Sequence, residues 1–446
     1  MRINEVNRVK KELEIFVDEF RPLIGRSERV QCCRQYLCGQ MLDGERKSIQ
    51  PIAERVPGGN EQNIQQFVNQ SPWEHEPVLE KLSEKMQKER GREKGVLVLD
   101  DTSLPKKGKH SVGVARQYCG ALGKISNCQV IVTWHYACAK GHWPVTGELY
   151  LPKEWTDDIK RMKETGVPLE RQKHIKKWRM AIELLKNIKA QVPHECVVFD
   201  AGYGELRPFL KELDDIREKF IGRIPCTHSF WPVDVKLNKK RTVLGRPRIY
   251  PEVYQRSVRP LKAKEWAKKL ERTPKKWQVI ELPLQKRKTV EATCVRVFEV
   301  NNKAYWRPGV ERWLIIENDG EEQKYYVSNF PKNTSLKKMV CLLHKRWTVE
   351  QGYQQLKEEL GLDHFEGRSW RGLHHHLTLT FMSYCFLQLM KNKRGKKRSR
   401  KIYISANSAM DSGNSHYSAM PEVSSLDHQT SLDIFRSGLA QCYLTE

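Results

Sequence analysis

Two aspartates each follow a short apolar run in this sequence. Asp100 closes the run that begins at Gly95, and Asp200 closes the run that begins at Glu195. Short apolar runs bounded in this way predict buried strands, and active-site residues collect where such strands end at the edge of an α/β sheet. Two carboxylates there suit Mg²⁺, which prefers oxygen ligands and bridges to phosphate. For either aspartate alone, the alternative is an acid that caps the following turn.

A third carboxylate lies in the segment Arg346-Trp-Thr-Val-Glu-Gln-Gly-Tyr-Gln-Gln-Leu-Lys357. On an α-helix, Glu350, Tyr353 and Lys357 fall within about 40° of Arg346. The pattern predicts one stripe of cation, carboxylate, phenol and cation, in which the carboxylate ligates a metal while the cations hold a phosphate. The alternative is a solvated face with an Arg–Glu pair worth only ~0.3–0.5 kcal/mol.

The charge of the chain narrows the class of partner. Lys and Arg number 79 against 54 Asp and Glu, which gives a formal net charge of +25. Because 39% of the residues are hydrophobic, the composition is that of a folded protein, and its positive surplus predicts a polyanion such as DNA. The apolar stretch Leu377–Met390 is shorter than the ~20 residues that span a membrane, and the N-terminus has no apolar signal core. We therefore expect an intracellular protein.

The elements that must position these side chains divide the chain into five predicted parts. These are a helical DNA-binding domain (1–92), the first part of an α/β catalytic domain with a mixed sheet (93–224), a β-rich insertion (225–310), the last part of the catalytic domain (311–390), and a flexible basic linker with a disordered tail (391–446). The linker is predicted because eight of the eleven residues of Lys391–Lys401 are basic.

The N-terminal part contains a helix-turn-helix pattern. Two short helical segments flank Pro57-Gly-Gly59, and Asn60 is placed to cap the second. That second segment carries Gln62, Asn63 and Gln66, whose amides suit the adenine edge in the major groove. An ordinary polar helix face is the alternative.

The pattern of the candidate catalytic residues resembles that of a known family. Asp100, Asp200 and Glu350, with Arg346 and Lys357 in an R-x3-E-x6-K pattern, resemble the DDE transposases of bacterial insertion sequences. The stretch from Asp100 to Gln129 is similar to the insertion-sequence family numbered seven-hundred-and-one, as are three shorter motifs: Leu149-Tyr-Leu-Pro152, Asp200-Ala-Gly-Tyr-Gly204 and Leu360-Gly-Leu362. One departure is Leu343, where hairpin-forming relatives have a tyrosine. The resemblance covers about residues 10–390.

The resemblance implies a ribonuclease-H-like fold with flanking helices, a β-rich insertion and an all-helical N-terminal DNA-binding domain. It also implies an endonuclease that cuts at terminal inverted repeats and transfers the strand to target DNA, with two Mg²⁺ ions (Mn²⁺ able to substitute) held by Asp100, Asp200 and Glu350. Asp101 remains the alternative to Asp100. The DNA contacts expected on this basis are Arg346, Tyr353, Lys357, Lys106, Lys107 and Lys109, together with Gln62, Asn63 and Gln66.

The expected setting is a homodimer on double-stranded DNA in the bacterial cytoplasm, associated with the nucleoid and not with a membrane. Two other functions stay open at this level. One is a ribonuclease-H-like nuclease that cuts without joining. The other is a DNA-binding transposase remnant with a dead site.

Overall fold

The computed structural model describes residues 3–89, 91, 94–236, 258–273, 276–282, 288–302, 307–320 and 322–411. The N-terminal part consists of α1 (Ile3–Asp18), α2 (Arg21–Ile24), α3 (Ser27–Met41), α4 (Ile49–Arg55), α5 (Glu61–Asn69) and α6 (His75–Gln87). The central part consists of β1 (Gly95–Pro105), β2 (Ala115–Cys119), β3 (Lys124–Cys138), β4 (Gly141–Leu149), α7 (Lys153–Thr156), α8 (Ile159–Glu164), α9 (Lys177–Ile188), β5 (His194–Phe199), α10 (Ala201–Gly204), α11 (Arg207–Asp215) and β6 (Phe220–Ile224).

The C-terminal part adds further strands and the longest helix. It consists of β7 (Ser229–Pro232), β8 (Leu261–Lys262), α12 (Ala263–Glu271), β9 (Gln278–Glu281), β10 (Thr289–Asn302), β11 (Arg307–Asn318), β12 (Gln323–Ser328), α13 (Leu336–Leu343), α14 (Trp347–Gln354) and α15 (Trp370–Asp411).

All the described strands join one mixed sheet, in which the order along the main path is β2-β3-β1-β5-β6-β12-β11-β10-β7-β8. β3 is antiparallel to its neighbours β1, β2 and β4, whereas β1, β5 and β6 run parallel to one another. The parallel strands are connected through helices, as parallel pairing requires. This mixed α/β arrangement is consistent with the predicted ribonuclease-H-like fold.

The two apolar runs that end in aspartate are neighbouring parallel strands. The side chains of Val96 to Leu99 are fully buried, because helices cover both faces of this part of the sheet. Val98 lies opposite Val198 in the β1–β5 register. Continued by two residues, that register brings Asp100 level with Asp200, about one strand spacing (~4.8 Å) away. Asp200 thus follows the end of β5, as predicted, whereas Asp100 lies within β1, which continues to Pro105, so the prediction that Asp100 ends its strand is wrong.

The helix α15 lies at the centre of the molecule. It packs on α3, α5, α6 and β4, and its consecutive histidines make specific contacts with the N-terminal helices. Tyr36 Oη lies 2.8 Å from His376 Nδ1, while the two ring nitrogens of His375 lie 2.8 Å from the carbonyl oxygens of Val68 and Trp73. The stretch Leu377–Met390 is thus a core helix. In the part of the chain that the structure describes, none of the helices is long and apolar enough to cross a bilayer.

Two expectations about domain organisation differ from the structure. The basic run Lys391–Lys401 does not form a linker, because α15 continues as a helix through Asp411, and Lys and Arg are good helix formers. Of the expected tail, residues 402–446, the first ten belong to this helix and residues 412–446 lie outside the described residues. The strands of the expected β-rich insertion do not form a separate unit either, since β10 pairs with β11 and extends the central sheet.

Candidate active site

Asp100 and Asp200 are two carboxylates that lie side by side where β5 ends. Burial raises the pKa of Asp100 to about 7; the nearby Arg346 guanidinium opposes the shift, and the carboxylates of Asp200 and Asp101 add to it. Asp200 caps α10, and its Oδ1 accepts a hydrogen bond from the Tyr203 N–H at 3.2 Å. Two carboxylates held this close in a partly buried site disfavour each other's charge, and a cation between them would relieve that repulsion.

Asp101 has a different environment from Asp100. Neighbouring strand residues point to opposite faces, and Asp101 Oδ1 accepts a hydrogen bond from Tyr203 Oη at 2.6 Å, while Asp101 Oδ2 lies 2.9 Å from Lys177 Nζ. The Asp101 N–H in turn donates to Asp100 Oδ1 at 3.0 Å. Asp101 is thus engaged by two side chains, which favours Asp100 as the carboxylate that remains for the site.

Tyr203 and Lys177 are the site residues that the sequence-based prediction missed. Tyr203 holds both sides of the site, since its N–H contacts Asp200 and its phenol contacts Asp101. Its position in the motif Asp200-Ala-Gly-Tyr-Gly204 was a signal for this role. That motif also needs Gly204, because a Cβ there would stand 1.9 Å from the Arg223 carbonyl oxygen of β6. Lys177 begins α9, and no sequence pattern marks it.

Glu350 stands at the edge of this arrangement. The Arg346 guanidinium donates to Glu350 Oε1 at 3.0 Å, and the side chain of Glu350 is 55% exposed. In the described part of the chain, no three Asp, Glu, His or Cys side chains are close enough together to hold a metal ion. The structure therefore brings Asp100 and Asp200 together but not Glu350, whose role as the third ligand stays a prediction.

The single stripe predicted for residues 346–357 is wrong in two respects. First, α14 ends at Gln354 and a π-helical turn follows over Gln355–Glu359, so the 3.6-residue period does not reach Lys357. Second, Tyr353 is buried, and its phenol contacts Thr133 Oγ1 and lies 3.5 Å from the Asp100 carbonyl oxygen. Tyr353 therefore packs inside the fold against the middle of β1 and is not available to DNA.

The predicted lysine contacts separate into two groups. Lys357 is half-buried, and burial lowers its pKa. The negative charge of Asp100 is among the effects that oppose this shift. Lys107 and Lys109 are exposed. Lys106 differs from the prediction, because its ammonium donates to the carbonyl oxygens of Asp363 and Phe365 at 3.2 and 2.6 Å and is thus directed into the fold.

The predicted helix-turn-helix is present as α4, a glycine turn and α5. Asn60 Oδ1 accepts the Asn63 N–H at 2.9 Å, so the predicted cap is confirmed. Gly58 has a φ of +62°, and a Cβ at Gly59 would stand 2.1 Å from the Ala53 carbonyl oxygen, which explains the glycine pair. Gln35 of α3 fixes this turn through the carbonyl oxygens of Pro57 and Gly58.

A wide basic groove lies beside α5. Its volume is about 910 Å³. It is lined by Asn63 and Gln66 and by four arginines, Arg21, Arg26, Arg29 and Arg34. Arg21 and Arg34 contact Asp18, whereas within the described residues Arg26 and Arg29 form no ion pair. Gln62 is exposed but lies outside the groove lining.

Comparison with known proteins decides the family. The model of the DDE superfamily endonucleases matches residues 19–289, which is more than half of the chain. The chain belongs to this family. The match confirms the predicted membership of the DDE superfamily. It includes Asp100 and Asp200 and ends before Glu350, so that for Glu350 only the local sequence pattern applies.

One relative of this chain is a protein of Microchaete diplosiphon described as "Probable transposase for insertion sequence element IS701". The two are 29% identical over 220 residues. The match spans 48% of the present chain and 54% of the relative, and thus about half the length of the relative.

Proposed function

We propose that this chain is a DNA transposase that cuts at the terminal inverted repeats of a mobile element and joins the freed strand to target DNA. The observation that carries the proposal is the parallel β1–β5 register, because it brings Asp100 of β1 level with Asp200, directly after β5, with Arg346 and Lys357 nearby. The family and the described relative agree with this function.

The residues at this edge fit a divalent metal. The donors are carboxylate oxygens only, which is the preference of Mg²⁺ and Mn²⁺, and the raised pKa of Asp100 reflects an unfavourable buried negative charge that a cation would stabilise. Asp100, Asp200 and Glu350 would hold two such ions. When bound, they supply Lewis-acid activation of the attacking oxygen and stabilisation of the leaving one.

The remaining side chains of the site are proposed to bind the DNA and to hold the neighbouring strand in position. Arg346 and Lys357 are proposed to hold the phosphate next to the scissile bond, because a guanidinium and an ammonium there offer charge-assisted hydrogen bonds. Arg346 is bound to Glu350 in the structure. A DNA phosphate would compete for Arg346 and so release Glu350 toward the aspartates. Tyr203 and Lys177 are proposed to hold this part of β1 in place through Asp101.

The N-terminal helices are proposed to bind the element ends. The groove beside α5 combines arginines for phosphates with Asn63 and Gln66 for base edges. Since two ends must be joined, we propose a homodimer on DNA. The proposed setting is the bacterial cytoplasm, in association with the nucleoid.

A strand-transfer assay tests the function. The probe is a labelled duplex carrying the repeat that flanks the coding sequence, incubated with Mg²⁺ and a supercoiled target plasmid. Label that is cut and joined to the plasmid supports the proposal. Label that is cut but never joined would make the chain a nuclease, and binding without any cutting would make it an inactive remnant.

The basic groove yields a prediction about salt dependence. Each contact between a cation and a DNA phosphate releases about one counterion on binding. Arg26→Ala and Arg29→Ala, which each remove one such contact, are therefore expected to reduce the slope of log affinity against log salt by about 1. The measurement is fluorescence anisotropy over a salt series. Lys211→Ala, at an exposed lysine of α11 that pairs with Asp215, is the control. Equal slopes for all three variants and the wild type would exclude the groove from DNA binding.

The two cations beside the acidic pair yield a prediction about catalysis. Lys357→Ala is expected to reduce single-turnover cleavage by ~10²-fold or more, the scale of losing a preorganised charge at a reacting group. Arg346→Lys should also be impaired, since one ammonium cannot replace a bidentate guanidinium. Lys160→Ala, at an exposed lysine that pairs with Glu164, is the control. A lowered melting temperature with full cleavage activity in Lys357→Ala would show a purely structural role.

A further inference from the structure

The hairpin formed by β2 and β3 presents an unusual apolar surface to solvent. Tyr118 and Ile125 lie directly opposite each other across the hairpin, and Leu122 is in the turn. The exposed fractions of these residues are 65%, 63% and 47%. Such a cluster in so short a segment is uncommon on a monomer surface and marks a contact site more often than isolated exposed residues do.

The fold exposes this surface for a simple reason. β2 is the edge strand at one end of the sheet, and successive residues point to opposite faces. Cys119 and Cys128 are fully buried beneath the hairpin in a small cluster with Val130. Tyr118 therefore points away from the protein, and no described element covers it.

The hairpin lies next to the proposed active site. The Gly120 N–H donates to Ser103 Oγ at 3.1 Å, and Ser103 follows Asp100 on β1. Cys119, on the buried face, is close enough to Lys357 to act on its pKa. The hairpin therefore lies next to any ligand that binds in the proposed active site.

The charge around the hairpin identifies the kind of partner. Between residues 102 and 147 the sequence has six Lys or Arg residues and no Asp or Glu. Arg116, two residues before Tyr118 and therefore on the same face of β2, is exposed. The loop with Lys107 and Lys109 is held against the hairpin, because Asn127 Nδ2 donates to the carbonyl oxygens of Lys106 and Gly108 at 2.7 and 2.8 Å. An aromatic ring between cations suits a nucleic acid, whose bases stack while its phosphates bind the cations.

We propose that the β2–β3 hairpin is a nucleic-acid contact in which Tyr118, backed by Ile125, stacks on an unpaired base next to the active site. A paired base is already stacked on both faces, so the exposed ring gains most from a base that has left the helix. The inference rests on the proposed function only in taking DNA as the partner.

The test compares the affinity of the full-length chain for two short labelled duplexes in EDTA, which prevents cleavage. One duplex is fully paired, and the other carries a few unpaired nucleotides. The wild type is expected to bind the second about tenfold more tightly, within the range for stacking of one base on an aromatic side chain. Tyr118→Ala should lose this preference and bind the paired duplex as the wild type does, whereas Tyr118→Phe should keep it.

Ile125→Ala supplies a second variant and should weaken the preference without removing it. Val279→Ala, at an equally exposed position on β9, is the matched control and should behave as the wild type. A wild type without preference, or a Tyr118→Ala variant that keeps it, would overturn the proposal. So would a change from dimer to monomer in Tyr118→Ala with the preference intact, because the hairpin would then contact a second copy. Failure of strand transfer with an intact preference would contradict the proposed function instead.

Discussion

Asp200→Asn is expected to abolish strand cleavage while leaving the fold and DNA binding intact. Asp200 has two separable roles in the structure, because it caps α10 through Tyr203 and places a carboxylate beside Asp100. Asparagine is as good a helix cap as aspartate, so that the substitution removes only the charge. We expect single-turnover cleavage to fall by at least ~10³-fold, the upper range for losing one preorganised electrostatic group.

Three measurements on the same protein separate these roles: cleavage rate, affinity for the end duplex and melting temperature. Asp200→Ala should lose cleavage equally and in addition lose about 1 kcal/mol of stability, because alanine cannot cap the helix. The matched control is Asp158→Asn, at the aspartate that caps α8 by accepting the Arg161 N–H at 3.0 Å. Near-normal cleavage by Asp200→Asn would remove Asp200 from the active site.

Asp100→Asn and Asp101→Asn are expected to have opposite effects. Burial and the neighbouring Asp200 disfavour the charge of Asp100. The Asp100→Asn variant should therefore keep or raise the melting temperature at pH 8 and lose cleavage by ~10³-fold. Asp101 is bound by Tyr203 and Lys177. Its replacement leaves a partly buried ammonium without its partner, so Asp101→Asn should lose about 1–3 kcal/mol of stability and keep most of the cleavage rate.

Tyr203→Phe provides a control in which Asp100 and Asp101 are both unchanged. It removes only the phenolic hydroxyl that contacts Asp101 and leaves the Asp101–Lys177 pair intact. Tyr203→Phe should therefore keep most of the cleavage rate and lose less stability than Asp101→Asn. The comparison uses melting curves in EDTA together with cleavage in Mg²⁺. If Asp101→Asn were the inactive variant and Asp100→Asn the active one, the metal ligand would shift by one residue and the fold would be unaffected.

The acidic pair was predictable because its signal is local. An apolar run of strand length predicts a buried strand, as before Asp100 and Asp200. The acid marks the end of the strand only at Asp200, because β1 continues past Asp100 to Pro105. The helix-turn-helix was predictable for the same reason, since Asn60 and Gly58 act on residues a few positions away. Neither inference required knowledge of which strands are neighbours.

The errors came from assuming that local regularity continues. The stripe from Arg346 to Lys357 presumed one α-helix, and the π-helical turn at Gln355–Glu359 interrupts it. Lys106 was expected to contact DNA on the basis of the resemblance, but two carbonyl oxygens of a distant segment bind it. The basic run after Met390 suggested a linker, although the same residue types also extend a helix.

The sequence by itself predicted a polyanionic partner and two buried strands, because charge and hydrophobic periodicity are properties of the chain, and its motifs carried the resemblance to the family. Only the tertiary structure decided that Tyr203 and Lys177 bind Asp101, and that the β2–β3 hairpin exposes Tyr118. These features depend on contacts between residues far apart in sequence. Such contacts are set by packing and strand register, which no local pattern encodes.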